Sequence, residues 1–150
     1  MFDSALIPLT HELVRWLLVP VLATLLILVA VAIWEIGLAV GERARGLARL
    51  RLGATLDEIE YYGRRRIERA DILARVAPML GLMGTLIPLG PGIAALGRGE
   101  LDILAQAVSV AFDTTVIGLL VGILGFILGR LRRRWYDVLL SEREQADAHA

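Results

Sequence analysis

The sequence predicts an all-α integral membrane protein with three transmembrane helices, and three observations support this fold class. Hydrophobic residues make up 57% of the 150 residues, and the mean hydropathy is +0.66. Three stretches are long enough to cross a bilayer, which takes about 20 mostly apolar residues. Most charged residues lie in blocks outside these stretches. We therefore expect residues 1–150 to form a single membrane domain.

The first predicted span, about 13–34, consists mainly of Leu, Val, Ala and Ile, which is typical of a lipid-facing helix. It follows the acidic residues Asp3 and Glu12, whereas a secretory signal peptide starts with a basic segment. Its apolar stretch is also longer than that of an ordinary signal peptide, and no small-x-small cleavage site follows it. We therefore expect a permanent membrane anchor.

The second predicted span, about 76–97, is rich in proline and glycine, and the third, about 103–129, carries a row of glycines in its later half. Proline removes a backbone hydrogen bond, so Pro78, Pro88 and Pro91 require neighbouring helices around them. Small residues allow membrane helices to approach closely. We expect this packing at Gly81, Gly84, Gly118, Gly122 and Gly125.

Polar residues occupy the middle of the second and third spans. A carboxylate at this depth costs about 2.5–3.5 kcal/mol on insertion scales, so Asp113 is a candidate for work with ions or protons. Thr85, Asp113 and Thr115 all reach the middle of a hydrocarbon layer about 30 Å thick. In the alternative interpretation, each threonine hydroxyl only donates a hydrogen bond to a carbonyl oxygen of its own helix. The candidate ion-pathway residues are Thr85, Ser109, Asp113, Thr114 and Thr115.

The arginines predict the orientation in the membrane. Nine of them lie in 41–75 and five in 130–150. Arginine-rich segments stay in the cytoplasm, so the N-terminus and the connection 98–102 are expected outside and the C-terminal tail inside. Residues 36–75 alternate apolar and charged positions at helical spacing, with an interruption at Gly53, and predict a cytoplasmic helical hairpin. Thr55 with Glu58 fits a capping box at the start of its second helix.

The basic clusters predict contact with lipid rather than with nucleic acid, because they lie next to predicted spans and acidic neighbours. The cluster beside Trp135 is expected to bind anionic lipid headgroups through Arg132, Arg133 and Arg134. The sequence predicts neither a metal site nor an enzyme active site. There is no cysteine, and two histidines far apart do not predict a metal site. No nucleophile with an adjacent base and no phosphate-binding loop is present, so we expect neither an enzyme nor a cofactor.

Two stretches resemble a known family. Residues 77–85 read APMLGLMGT, and residues 111–119 read AFDTTVIGL. They are similar to the "APxLGLxGT" and "A-[LF]-x-x-T-x-x-GL" motifs of the MotA/TolQ/ExbB proton channel family, in this order and on spans of this polarity. The resemblance covers about 74–125. Three spans with most of the soluble part in the cytoplasm resemble the TolQ/ExbB branch.

The resemblance implies a homo-oligomeric ring of five subunits in the inner membrane. The second and third spans of each subunit would line a pore around two copies of a single-span partner of the ExbD/TolR/MotB type. That partner would bring the aspartate that binds and releases the ion. Thr85 and Thr115 match the pore threonines of the family. Proton flow, or sodium flow, would then drive mechanical work as the ring turns relative to the partner.

The sequence also departs from the family. ExbB-like members often carry a glutamate at the position of Val110, whereas here an acid stands at Asp113. The pair Thr114 and Thr115 resembles sodium-driven members, although protons remain the first expectation. The chain lacks the large cytoplasmic domain of flagellar stators, which argues against flagellar torque. Two alternatives stay open: a partner-independent cation channel, and a structural scaffold that conducts no ions.

Overall fold

A computed structural model of the chain describes residues 3–41 and 56–147, which form three long helices. They are α1 (Asp3–Gly41), α2 (Leu56–Leu96) and α3 (Leu101–Asp147). Each helix contains one stretch long and apolar enough to cross a membrane: Glu12–Gly41, Glu60–Leu96 and Leu101–Glu142. The prediction of an all-helical membrane protein with three spans is therefore confirmed.

The helices continue well beyond the predicted spans. α2 begins at Leu56, about 20 residues before the apolar stretch predicted for it, and α3 continues to Asp147. The described parts of 36–75 are helical. The predicted interruption at Gly53 and the capping residue Thr55 lie outside the described residues, so the cytoplasmic hairpin stays a prediction. Pro78, Pro88 and Pro91 all lie inside α2 without ending it.

A short turn over 97–100 joins α2 to α3. Gly99 has a φ of +80°, a left-handed conformation that favours glycine. The Arg98 guanidinium donates two hydrogen bonds to the Glu100 carboxylate, at 3.0 and 3.2 Å. These hydrogen bonds hold the pKa of Glu100 below its ordinary value. The turn therefore carries its own ion pair at the predicted outer surface.

The described chain contains two compact units, and each includes part of every helix. The first unit comprises Met1–Val29 and Val76–Val121. Here α2 and α3 run antiparallel, since a Cβ at Gly92 would lie 2.8 Å from Ala107 and one at Gly84 would lie 2.8 Å from Thr114. Farther along, a Cβ at Gly118 would lie 2.7 Å from the Ala77 carbonyl oxygen. The two backbones are thus in direct contact.

The second unit comprises Ala30–Arg75 and Gly122–Ala150. Its core contains Ala39, Ala70 and Leu128 with Ile36 packed against them. Small residues again bring α2 and α3 together. A Cβ at Gly125 would lie 2.6 Å from the Ala74 nitrogen. A Cβ at Gly63 would lie 2.8 Å from the ring of Tyr136, which is buried.

Large apolar side chains are exposed along all three helices of the described chain. Examples with at least half of their surface exposed are Val19, Leu26, Met79, Leu86, Phe112 and Val116. A soluble monomer rarely exposes so much contiguous apolar surface. In a membrane, lipid or other subunits cover these faces, which agrees with the length and composition of the helices.

The close contact at Gly118 gives a direct test of helix packing. Alanine at this position would place its methyl group against backbone atoms of α2, so the helices must separate. We expect Gly118→Ala to destabilise the protein by about 1–3 kcal/mol, as overpacking does elsewhere. The measurement is thermal unfolding in detergent, followed by circular dichroism.

Gly37→Ala is the matched control, because nothing lies within 4 Å of a Cβ at Gly37. Helix propensity alone should make this variant as stable as wild type or up to about 1 kcal/mol more stable. Equal stability of the two variants would contradict the close packing of α2 and α3.

Candidate ion pathway

The predicted ion-pathway residues lie beside the direct contact of α2 and α3 in the first unit. A Cβ at Gly84 would lie 2.8 Å from both Cβ and Oγ1 of Thr114, so these two residues face each other. A Cβ at Gly81 would lie 3.0 Å from the Thr114 carbonyl oxygen and 3.1 Å from Cα of Gly118. Thr85, the next residue after Gly84, is therefore at the same level as Thr114 and Thr115.

Thr114 is part of the helix contact. Its side chain is buried, with 4% of its surface exposed. Its hydroxyl donates to the carbonyl oxygens of Val110 and Ala111, at 2.9 and 3.0 Å. Within one chain, Thr114 thus supports packing against Gly84 and is closed to a passing ion.

Thr85 and Thr115 are half-buried and bond within their own helices. The Thr85 hydroxyl donates to the Leu82 carbonyl at 2.6 Å, and the Thr115 hydroxyl donates to the Ala111 carbonyl at 2.9 Å. These are the hydrogen bonds that the alternative interpretation predicts. A hydroxyl has one proton to donate and two lone pairs that accept. The bond therefore uses the proton and leaves the oxygen lone pairs for a cation or a water molecule.

Helix geometry places the two threonines on one side of the α2–α3 pair. Each residue is rotated by about 100° from the preceding one. In an antiparallel pair, the residues that follow two facing positions turn to the same side. Thr85 follows Gly84, and Thr115 follows Thr114, so both project to that side. Asp113 precedes Thr114 and projects to the opposite side.

Asp113 lies on an exposed and otherwise apolar face of α3. Phe112 and Val116 beside it are 68% and 64% exposed. Ser109 is one turn away, is also exposed, and shares the face of Asp113 because positions four apart are neighbours. Asp113 makes no hydrogen bond or ion pair with other residues in the described part of the chain. A bilayer would therefore bring this carboxylate against lipid or another protein chain.

The second unit contains a buried ion pair that sequence reasoning missed. Arg132 donates to the Glu35 carboxylate at 2.6 Å, and the side chains are 0% and 2% exposed. Arg132 also donates to the Arg66 carbonyl at 3.1 Å. Arg69 lies 3.8 Å from the other carboxylate oxygen of Glu35. One arginine thus joins residues from all three helices.

The prediction that Arg132 binds a lipid headgroup is wrong, because its side chain is fully buried against Glu35. Its neighbours in the cluster differ. Arg133 donates to Asp71, with 56% of the arginine side chain exposed, and Arg134 is exposed. Contact of these two residues with lipid headgroups stays a prediction. In the sequence, the signal that could have indicated the pair is Glu35, an acidic residue directly after the first predicted span.

Acidic and histidine side chains of the described residues form no group of three that could hold a metal ion. The oxygen atoms found at the α2–α3 contact are the Thr114 hydroxyl and the backbone carbonyls of Thr114 and Ala77. Such neutral oxygens suit transient contact with a cation better than permanent binding of a metal.

Comparison with known proteins gives one match. The sequence model of the MotA/TolQ/ExbB proton channel family matches residues 27–145, which include both threonine motifs, Asp113 and the buried ion pair. Neither the curated proteins nor the solved structures gave a significant match.

The buried ion pair predicts a characteristic pattern of stabilities. Removing one partner leaves an uncompensated buried charge, so we expect Arg132→Met to lower the free energy of unfolding by about 3–5 kcal/mol. The double variant Glu35→Leu with Arg132→Met removes both charges and should recover most of this loss. Unfolding in detergent with added denaturant measures the difference.

Arg134→Met is the control, because this exposed arginine lies in the same cluster and on the same helix. It should change stability by less than about 0.5 kcal/mol. If Arg132→Met and Arg134→Met had equal effects, the buried pair would not be a structural contact of the native protein.

Proposed function

The chain belongs to the MotA/TolQ/ExbB proton channel family, and we propose that it is the ion-conducting subunit of a membrane motor that couples ion flow to mechanical work. The observation that carries this proposal is the arrangement of Thr85 and Thr115 beside the contact of Gly84 with Thr114. Both residues offer oxygen lone pairs on one side of the helix pair, near the middle of the predicted spans 76–97 and 103–129. This chemistry supports the proposal that the chain is a channel subunit rather than an enzyme.

We propose that the pore is formed by several copies of the chain. The side of one α2–α3 pair that carries Thr85 and Thr115 is open and cannot enclose an ion by itself. The exposed apolar faces of the helices support contact with further subunits. The family implies a ring of five around two copies of a single-span partner with a membrane aspartate, of the ExbD/TolR/MotB type. Residues 1–150 then act as one membrane domain in each copy.

The proposed ion is the proton, with sodium as the alternative. A hydronium ion or a hydrated proton donates hydrogen bonds, and Thr85 and Thr115 accept them because their own protons are already bound to helix carbonyls. The aspartate of the partner takes up and releases the ion. Binding changes the charge in the pore, and this change drives the ring to turn relative to the partner.

We propose a second polar site, formed by Asp113 and Ser109, on the opposite side of the helix pair. Their side faces the neighbouring subunit or the partner in a ring, since it carries exposed apolar residues around the carboxylate. There the Asp113 carboxylate would attract the passing cation, and Thr114 would hold α3 against α2 so that both polar sides keep their positions. This assigns different roles to the adjacent residues Asp113, Thr114 and Thr115.

We further propose the inner membrane as the location, with the N-terminus outside and the C-terminus in the cytoplasm. The arginine-rich segments 41–75 and 130–150 support this orientation. The cytoplasmic helical hairpin over 36–75 and the contact of Arg133 and Arg134 with anionic headgroups belong to the same proposal.

Native mass spectrometry of the detergent-extracted complex tests the assembly. The chain is expressed with its genomic neighbours, including any small single-span protein that carries a membrane aspartate. We expect five copies of the chain with two of the partner. A ring without a partner that still conducts ions would support the partner-independent channel, and a ring that conducts none would support the scaffold.

Substitution of the polar residues tests the ion pathway in proteoliposomes that contain the complete complex. Loss of one oxygen ligand weakens cation binding by about 1.5–3 kcal/mol, and about 1.4 kcal/mol corresponds to a tenfold change. We therefore expect Thr85→Ala and Thr115→Ala to lower proton flux about ten- to hundredfold. Asp113→Asn keeps the shape of the side chain and should lower flux without changing subunit stoichiometry.

Thr24→Ala is the matched control. Thr24 donates to the Pro20 carbonyl at 2.7 Å, so it bonds to its own helix like the two pore threonines, but it lies on α1. Its substitution should leave flux unchanged. Equal flux in all four variants would contradict the proposed pathway, whereas loss of assembly in Asp113→Asn would make Asp113 a structural residue.

A further inference from the structure

A groove of about 880 Å³ lies in the first unit between the early part of α1 and the adjoining parts of α2 and α3. Its size falls in the range of ordinary ligand clefts, about 300–1,000 Å³. The proposed ion pathway does not use it. Apolar side chains form most of its wall: Leu18, Leu86, Ile87, Ile103 and Val110.

The groove exists partly because α2 lacks side chains where it passes. Gly90 lines the groove, and no atom lies within 4 Å of a Cβ built on it. Pro88 and Pro91 on either side add only compact rings. The small residues of α2 thus leave space at this part of the groove wall, and the Cβ of a larger residue at position 90 would meet no atom within 4 Å.

The mouth of the groove is charged. Glu12 and Arg15 both line it and are one helical turn apart on α1. The apolar stretch of α1 starts at Glu12, so these charges lie at the level of lipid headgroups. From Glu12 to Leu18 the groove descends about 9 Å, at about 1.5 Å per residue, into the hydrocarbon layer.

We propose that this groove binds a phospholipid with a phosphoethanolamine headgroup. An acyl chain fills the apolar part, the Arg15 guanidinium donates to the phosphate, and the primary ammonium of ethanolamine donates to the Glu12 carboxylate. The adjacent opposite charges match this zwitterion. A choline headgroup has no N–H to donate, and an anionic glycerol headgroup has no cation for Glu12. This site is independent of ion conduction.

Lipid retention by the complete, detergent-extracted complex tests the proposal. Native mass spectrometry is performed after incubation with equimolar dioleoyl phosphatidylethanolamine, phosphatidylcholine and phosphatidylglycerol. We expect one retained ethanolamine lipid per chain, at about tenfold higher occupancy than either competitor, since charge-assisted hydrogen bonds of this kind distinguish ligands on that scale. Equal retention of the three lipids would overturn the proposal.

Variants locate the site. Gly90→Leu should abolish retention by filling the groove. Gly37→Leu makes the same change at another open position outside the groove and should retain the lipid. Glu12→Gln keeps the groove and should lose only the preference for ethanolamine over choline. Equal retention in the two leucine variants, or an unchanged preference in Glu12→Gln, would contradict the assignment. Loss of subunits from Gly90→Leu with unchanged lipid would assign the groove to another protein chain.

Discussion

Direct contact between the backbones of α2 and α3 constrains the position of each polar residue near the middle of the apolar stretches. Gly81, Gly84 and Gly118 remove the side chains that would hold the helices apart. Lipid offers no hydrophobic driving force for helix association, so close packing of this kind must stabilise the helix pair instead. Because the helices touch at Gly84 and Thr114, the residues on either side of each contact point in defined directions. The residues that face the α2–α3 contact therefore determine which polar groups lie on each side of the helix pair.

In the second unit, a buried ion pair adds to the glycine contacts that join the helices. Arg132 binds Glu35 of α1 and the Arg66 carbonyl of α2, so a single side chain fixes three backbones. A buried pair of this kind is a weak source of net stability, but it is costly to form with a wrong partner. It therefore specifies which surfaces of the helices meet.

The three long apolar helices could be predicted from the sequence, since the length of an apolar stretch is a local property. The shared level of Thr85 and Thr115 also followed from counting residues along the spans. Glu35 and Arg132 are 97 residues apart, and their pairing depends on how helices rotate about their axes. An arginine inside a basic cluster offers no sign that it is buried. The opposite orientation of Asp113 likewise became clear only once Thr114 was known to face Gly84.

The hydrogen bonds of Thr85 and Thr115 determine which sign of charge the proposed ion pathway would accept. Each hydroxyl proton of Thr85, Thr114 and Thr115 is held by a carbonyl of its own helix. Thr85 and Thr115, which unlike Thr114 are not buried in the helix contact, therefore offer acceptors and no free donors. A chloride or phosphate ion would find no hydrogen to bind there, whereas a cation would find oxygen. In the proposed ion pathway, discrimination between cations and anions would thus arise from neutral residues, before any carboxylate takes part.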